Sequence, residues 1–133
     1  VAAACESYGL PLVGGDTISL PRGAPRVLGL TAIGRSAKAP SRTGGRPGDR
    51  LWLVGTLGDS AAGLALLRVS KHADGPLVDT YRRPVPLLAA GRALAPQATA
   101  MMDVSDGLLL DLSRLCLASG CGAEVDLDTL PLS

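Results

Sequence analysis

Acidic residues in small or apolar surroundings are the first candidates for chemistry in this chain. The run MMDVSDGLLLDL at 101–112 places Asp103 and Asp106 three residues apart, with Ser105 between them. There an apolar stretch gives way to a Gly-Leu helix start. Two neighbouring carboxylates repel unless something positive lies between them, and a divalent cation is the simplest neutraliser. Magnesium suits a pair of carboxylates that share it with phosphate oxygens and water. Asp and Ser are also favoured helix N-caps, so one of the two acids needs no function, but capping leaves the second unexplained. The run LVGGDTISL at 12–20 adds Asp16 behind Gly14 and Gly15. Paired glycines on a strand either permit close backbone approach or mark a bulge, and a turn with a solvated Asp16 is the competing reading.

Arg42 and Arg46 sit on the Gly-rich stretch SRTGGRPGD. A guanidinium grips phosphate oxygens through two parallel hydrogen bonds, and small neighbours give it room to reach. A solvent-exposed linker arginine is the alternative. The stretch lacks the Gly-x4-Gly-Lys-[Ser/Thr] pattern of a phosphate loop, and GTLGDSAAG at 55–63 has the wrong spacing for a dinucleotide fingerprint. The one histidine, His72, falls at an expected helix end, and no Ser-His-Asp or Cys-His set assembles around it. Acids, an arginine and glycines remain, which is the equipment of phosphate and metal chemistry.

The elements that must position these groups follow from the pattern. VAAACESYG reads as a helix stopped by Gly9 and Pro11. LVGGDTISL and RVLGLTAIGR read as two strands joined by the turn PRGAP. The Pro- and Gly-rich segment from Ser36 to Asp49 is a candidate domain boundary. RLWLVGTLG reads as a buried strand leading to the helix DSAAGLALLRVSK, with Asp59 as its cap. HADGPLVDTYRRP is irregular or weakly helical, and PVPLLAAGRALA is a helix with Pro near its start. ATAMMDV is expected as a strand that delivers Asp103 to its carboxyl end. Ser105 or Asp106 should cap the helix that follows, which Gly120 closes, and AEVDL is expected as a last strand. The order from residue 50 is β-α-α-β-α-β, an α/β layering whose strand ends are where ligands collect.

Composition limits the partners. Of 133 residues 47% are hydrophobic and 19% charged, enough for a globular core. Only 2% are aromatic and the net charge is +1, which disfavours a base-stacking surface or a polybasic nucleic-acid face. No apolar run approaches the ~20 residues of a membrane span. Three cysteines without CxxC spacing disfavour a disulfide framework or zinc site and suit a reducing cytoplasm.

Taken in order, the words GGDT, LTAIGR, SRTGGRPGDRLWLVGTLGDSAAGLALL, YRRPVPLLAAGRAL and MMDVSDGLLLDLSRLCLASGCGAEVDLDTLPLS resemble the thiamine-monophosphate kinase family. That family belongs to the superfamily of aminoimidazole ribonucleotide synthetase and selenophosphate synthetase. The likeness spans nearly the whole chain and rests on the order of the motifs. It implies an enzyme that passes the terminal phosphoryl group of ATP directly to thiamine phosphate with several magnesium ions and no phosphoenzyme. On this sequence, Asp16 looks like a magnesium ligand at the nucleotide, with Gly15 along its phosphates. Arg42 resembles the ATP-contacting arginine, Asp103 and Asp106 further magnesium ligands, and Ser105 an ATP contact. The implied fold is an N-terminal α/β domain whose strands pair across a homodimer, then a C-terminal α/β domain. Residues 1–40 would end the first and 41–133 begin the second, as an internal fragment. Earlier acidic ligands and most thiamine-phosphate contacts are then expected outside these residues, and the 133 residues alone are expected to be inactive. Two alternatives stay open: another ATP-dependent enzyme of the superfamily, and a non-catalytic nucleotide-binding or dimerisation module.

Overall fold

The computed structural model describes all residues, Val1–Ser133. They divide into two units, Val1–Arg35 and Ser36–Ser133.

In the first unit, helix α1 (Ala2–Ser7) ends as the glycine and proline imply. Gly9 turns left-handed at φ 61°, and the Leu10 amide reaches back to the Cys5 carbonyl at 2.8 Å. This satisfies a carbonyl the helix would otherwise leave open. The PRGAP turn also forms, with Ala24 N–H donating to Pro21 at 3.0 Å and Gly23 taking a φ of 87°. Only glycine adopts that third-position angle of a type II turn without strain. The two strands expected on either side do not form a ladder, and neither 12–20 nor 26–35 holds regular structure. Val13 and Ile33 are each 92% exposed. Val, Ile and Thr favour a pleated surface only when a neighbouring strand takes up their N–H and C=O groups. No segment here supplies one.

The second unit is helical. It contains α2 (Asp59–Val69), α3 (Pro76–Arg82), α4 (Leu88–Leu94) and α5 (Leu108–Ser119), then a single 3-10 turn at Leu127–Thr129. The stretch expected to be irregular or weakly helical thus carries α3, started by Pro76 at a first-turn position where its missing N–H costs nothing. Helices α2 and α3 pack against each other around Val78, which is fully buried. Their closeness depends on Gly63, because a Cβ there would lie 2.1 Å from the Leu77 carbonyl oxygen. Helix α5 closes on Gly120 in the left-handed conformation (φ 67°, ψ 29°), as read from sequence.

The strands expected at 50–58, 98–104 and 123–127 are absent. In their place stands one isolated parallel bridge, Leu57 to Leu132, with Leu57 N–H on the Pro131 carbonyl at 2.9 Å. The helical half of the expected α/β layering is therefore present and the sheet half is not. Helices complete their hydrogen bonds within one segment, whereas strands need a second segment.

Candidate functional site: an acidic loop and an arginine loop on one helix

The acidic loop leads into α5, and its anchoring differs from expectation. Neither Ser105 nor Asp106 caps the helix. Gly107 holds the N-cap position (φ 108°, ψ 147°) with no side-chain cap hydrogen bond. Asp111, four residues inside the helix, does the fastening. Its Oδ2 accepts the backbone N–H groups of both Ser105 and Asp106, each at 2.9 Å. Its Oδ1 accepts from Arg114 at 2.9 Å. Asp111 is 1% exposed, the one charged side chain buried in the chain. The Asp106 amide, backed by the Ser105 amide and by Arg114, holds its pKa below the ordinary carboxylate value in spite of the burial that opposes it. The same Arg114 nitrogen also donates to Asp106 Oδ2 at 2.5 Å. Asp106, first among its two partners, raises the arginine's pKa.

Asp103 and Ser105 lie on this loop with exposed side chains, and Asp103 makes no ion pair. Beneath the loop runs an apolar groove of about 400 Å³ formed by Leu57, Leu108, Leu110, Leu127 and Leu130, with Asp106 at its edge.

The arginine loop is fastened to the other end of α5. Ser119 Oγ accepts the Gly45 amide at 3.1 Å and donates to the Arg42 carbonyl at 2.7 Å. Met101 N–H donates to the Ser41 carbonyl at 3.0 Å, which sets the loop beside the segment leading to Asp103. Gly44 passes so close to Thr99 that a Cβ would sit 1.8 Å from its carbonyl oxygen. Asp49 closes the loop by accepting from Thr99 Oγ1 at 2.7 Å and from the Arg46 amide at 3.0 Å, and Thr99, ahead of Arg46, lowers its pKa. Arg42 is exposed and has no ion-pair partner. Asp111 and Ser119 are eight residues apart on α5, about 12 Å at the helical rise. One helix thus carries the tethers of both the acidic loop and the arginine loop.

Asp16 belongs to the first unit. Its Oδ1 accepts its neighbour Thr17's amide at 2.7 Å, a contact within two residues. Gly14, Gly15 and Asp16 line a shallow depression of about 340 Å³ with Leu12, Leu28 and Leu30. A Cβ on Gly14 or Gly15 would meet nothing within 4 Å, so no contact inside the chain requires either glycine. In neither unit do three His, Cys, Asp or Glu side chains converge as a metal-binding group. Asp59, expected to cap α2, is instead its first residue behind Gly58, and accepts from the Thr56 hydroxyl. The three cysteines are free thiols. No helix is long and apolar enough to cross a membrane.

Residues 46–133 match the family described as AIR synthase related protein, C-terminal domain. The chain belongs to this family. The AIR synthase-like chain is also similar to curated thiamine-monophosphate kinases, in line with the resemblance carried by its motifs. It is 44% identical to that of Salmonella typhimurium over 131 residues, covering 95% of this chain and 40% of the relative. Identity to that of Escherichia coli K12 is 41% over 132 residues, covering 95% and 40%. With the enzyme of Halobacterium salinarum it is 40% over 129 residues, covering 97% and 43%. The chain thus spans about two fifths of the length of the curated relatives it matches. No solved structure matches it.

Proposed function

We propose that these residues serve an ATP- and magnesium-dependent kinase that phosphorylates thiamine phosphate to thiamine diphosphate in the cytoplasm, working as a homodimer of longer chains. Residues 1–40 belong in this reading to the end of an N-terminal α/β domain and 41–133 to the beginning of a C-terminal one. The observation that carries it is the arrangement on α5: exposed, oxygen-rich Asp103, Ser105 and Asp106 at one end, and the Arg42 loop fastened to the other. The similarity to kinases named for thiamine monophosphate supports ATP and thiamine phosphate as the substrates in this reading.

The donor set fits magnesium. Asp103 and Asp106 offer carboxylate oxygens at an exposed loop, and this cation is commonly held by one or two carboxylates plus substrate phosphates and water. Within the first unit, Asp16 is in this reading a further magnesium ligand and Gly15 lies along the nucleotide phosphates. Bound there, the cation supplies charge neutralisation of the transferring phosphoryl group. The chain's own part is alignment. Arg42 grips phosphate oxygens as a planar fork, and Ser105 contributes a hydroxyl to the nucleotide. No protein nucleophile is required, because phosphoryl transfer asks chiefly for positioning and charge stabilisation.

The test uses a polypeptide of the relatives' full length that contains these residues, incubated with ATP, magnesium and thiamine phosphate. Thiamine diphosphate detected by mass spectrometry supports the proposal. Phosphate release with a formylglycinamidine ribonucleotide instead moves the assignment to another enzyme of the superfamily. ATP binding without turnover of either compound leaves a nucleotide-binding module. Within an active protein, Asp106→Asn should cut turnover by about 100-fold or more, as loss of transition-state charge stabilisation does, while leaving the helical content intact.

A further inference from the structure

Arg114 faces two carboxylates of opposite permanence. It meets Asp106 at the surface, where the side chains are 45% and 52% exposed. The same guanidinium nitrogen meets Asp111, whose side chain is 2% exposed. Exposed ion pairs contribute little, because water competes for both partners. A buried carboxylate that has already accepted two backbone amides has no such freedom. The pair therefore has a fixed half and a releasable half, both made by one nitrogen atom.

We infer that Asp111 is a positioning residue for the acidic loop, and that Arg114, tethered to it, is a releasable counter-ion for Asp106. Asp111 sets the backbone course of Ser105 and Asp106 through their N–H groups. It also keeps the Arg114 guanidinium within reach of the Asp106 carboxylate. While no cation is bound, Arg114 offsets the repulsion between Asp103 and Asp106. When a divalent cation takes the Asp106 oxygen, Arg114 yields it and stays on Asp111. This rests on the proposed role of Asp106 and Ser105 at a cation and triphosphate.

The two residues then act in opposite directions on cation affinity, which a simple loss of folding stability would not produce. In the full-length polypeptide, the probe is Mn2+ with ATP, followed by the electron paramagnetic resonance signal of free Mn2+. Asp111→Asn keeps the shape of the side chain and should weaken Mn2+-ATP binding about 10-fold, the low end of what supporting partners of metal ligands contribute. Arg114→Gln removes a competitor and should tighten Mn2+ binding about 3-fold, the worth of an exposed ion pair. Circular dichroism establishes that each variant is folded. If Asp111→Asn does not fold, the exposed Arg114→Gln decides alone. Arg114→Gln with equal or weaker affinity overturns the inference, as does a folded Asp111→Asn with wild-type affinity. A wild-type protein with no affinity for Mn2+-ATP overturns the proposed function and the inference together, so the two failures are distinguishable.

Discussion

Asp16 and Asp106 are both acids beside glycine, yet folding treats them differently. Asp16 bonds its own neighbour, in a unit where every residue except Cys5 is exposed. Asp106 is held at its amide by Asp111 and at its carboxylate by Arg114, and those two are joined to each other. A carboxylate is fixed when partners from beyond its own turn share it with a buried group. A local bond leaves it to whatever approaches. The acidic loop is thus anchored from outside its own turn, while the Gly15–Asp16 segment is held by local bonds alone.

Stability measured by urea unfolding of the whole chain can break this contrast, and the largest effect should fall in the second unit. Gly63→Ala drives a methyl group into the Leu77 carbonyl and should cost about 3 kcal/mol, the upper end for an overpacked contact. Val78→Ala empties the space between α2 and α3 and should cost about 2 kcal/mol. Ser119→Ala removes both tethers of the arginine loop and should cost about 1 to 2 kcal/mol. Faster hydrogen exchange at the Gly45 amide would localise that loss. Asp49→Asn tests acid sensitivity. The Asp49 pKa is lowered on folding, so its contribution is complete above its ordinary value of 3.8 and fades as pH falls through the lower folded value. The variant should flatten that part of the acid-unfolding curve, its loss of stability being greatest at neutral pH and vanishing below the folded value. Smallest of all, Ile33→Ser and Asp16→Asn in the first unit should stay within about 0.5 kcal/mol of wild type. A larger loss at Ile33 would mean that this segment is packed in solution, and the contrast between the units would fall.

Sequence pattern reached some of these features and missed others for identifiable reasons. Helices α1, α2 and α5 were legible from apolar spacing and from Gly9 and Gly120 as stops. Helix α3 was readable in principle from Pro76 behind Gly75, but short apolar content around HADG hid it. Strand-forming composition at 12–20, 26–35 and 98–104 did not become strands, since composition names no pairing partner. Asp59, Ser105 and Asp106 were expected as caps from residue type, yet glycines hold those positions. Within LLLDL, Asp111 reads as one polar residue in an apolar run. Its signal was there: an acid in the first turn of an apolar helix, behind two amides with no helical partner.

The residue types that can hold a cation and a phosphate, their order, and the family likeness were written in the one-dimensional string, because donor chemistry belongs to each side chain wherever it lies. Which acid stays at the surface and which is buried was decided in three dimensions. Asp111 and Asp106 are chemically alike, and only burial, two backbone amides and a shared arginine separate the anchor from the group it holds out. Those are relations between atoms brought together by the turn from loop into α5, and no local pattern prices them.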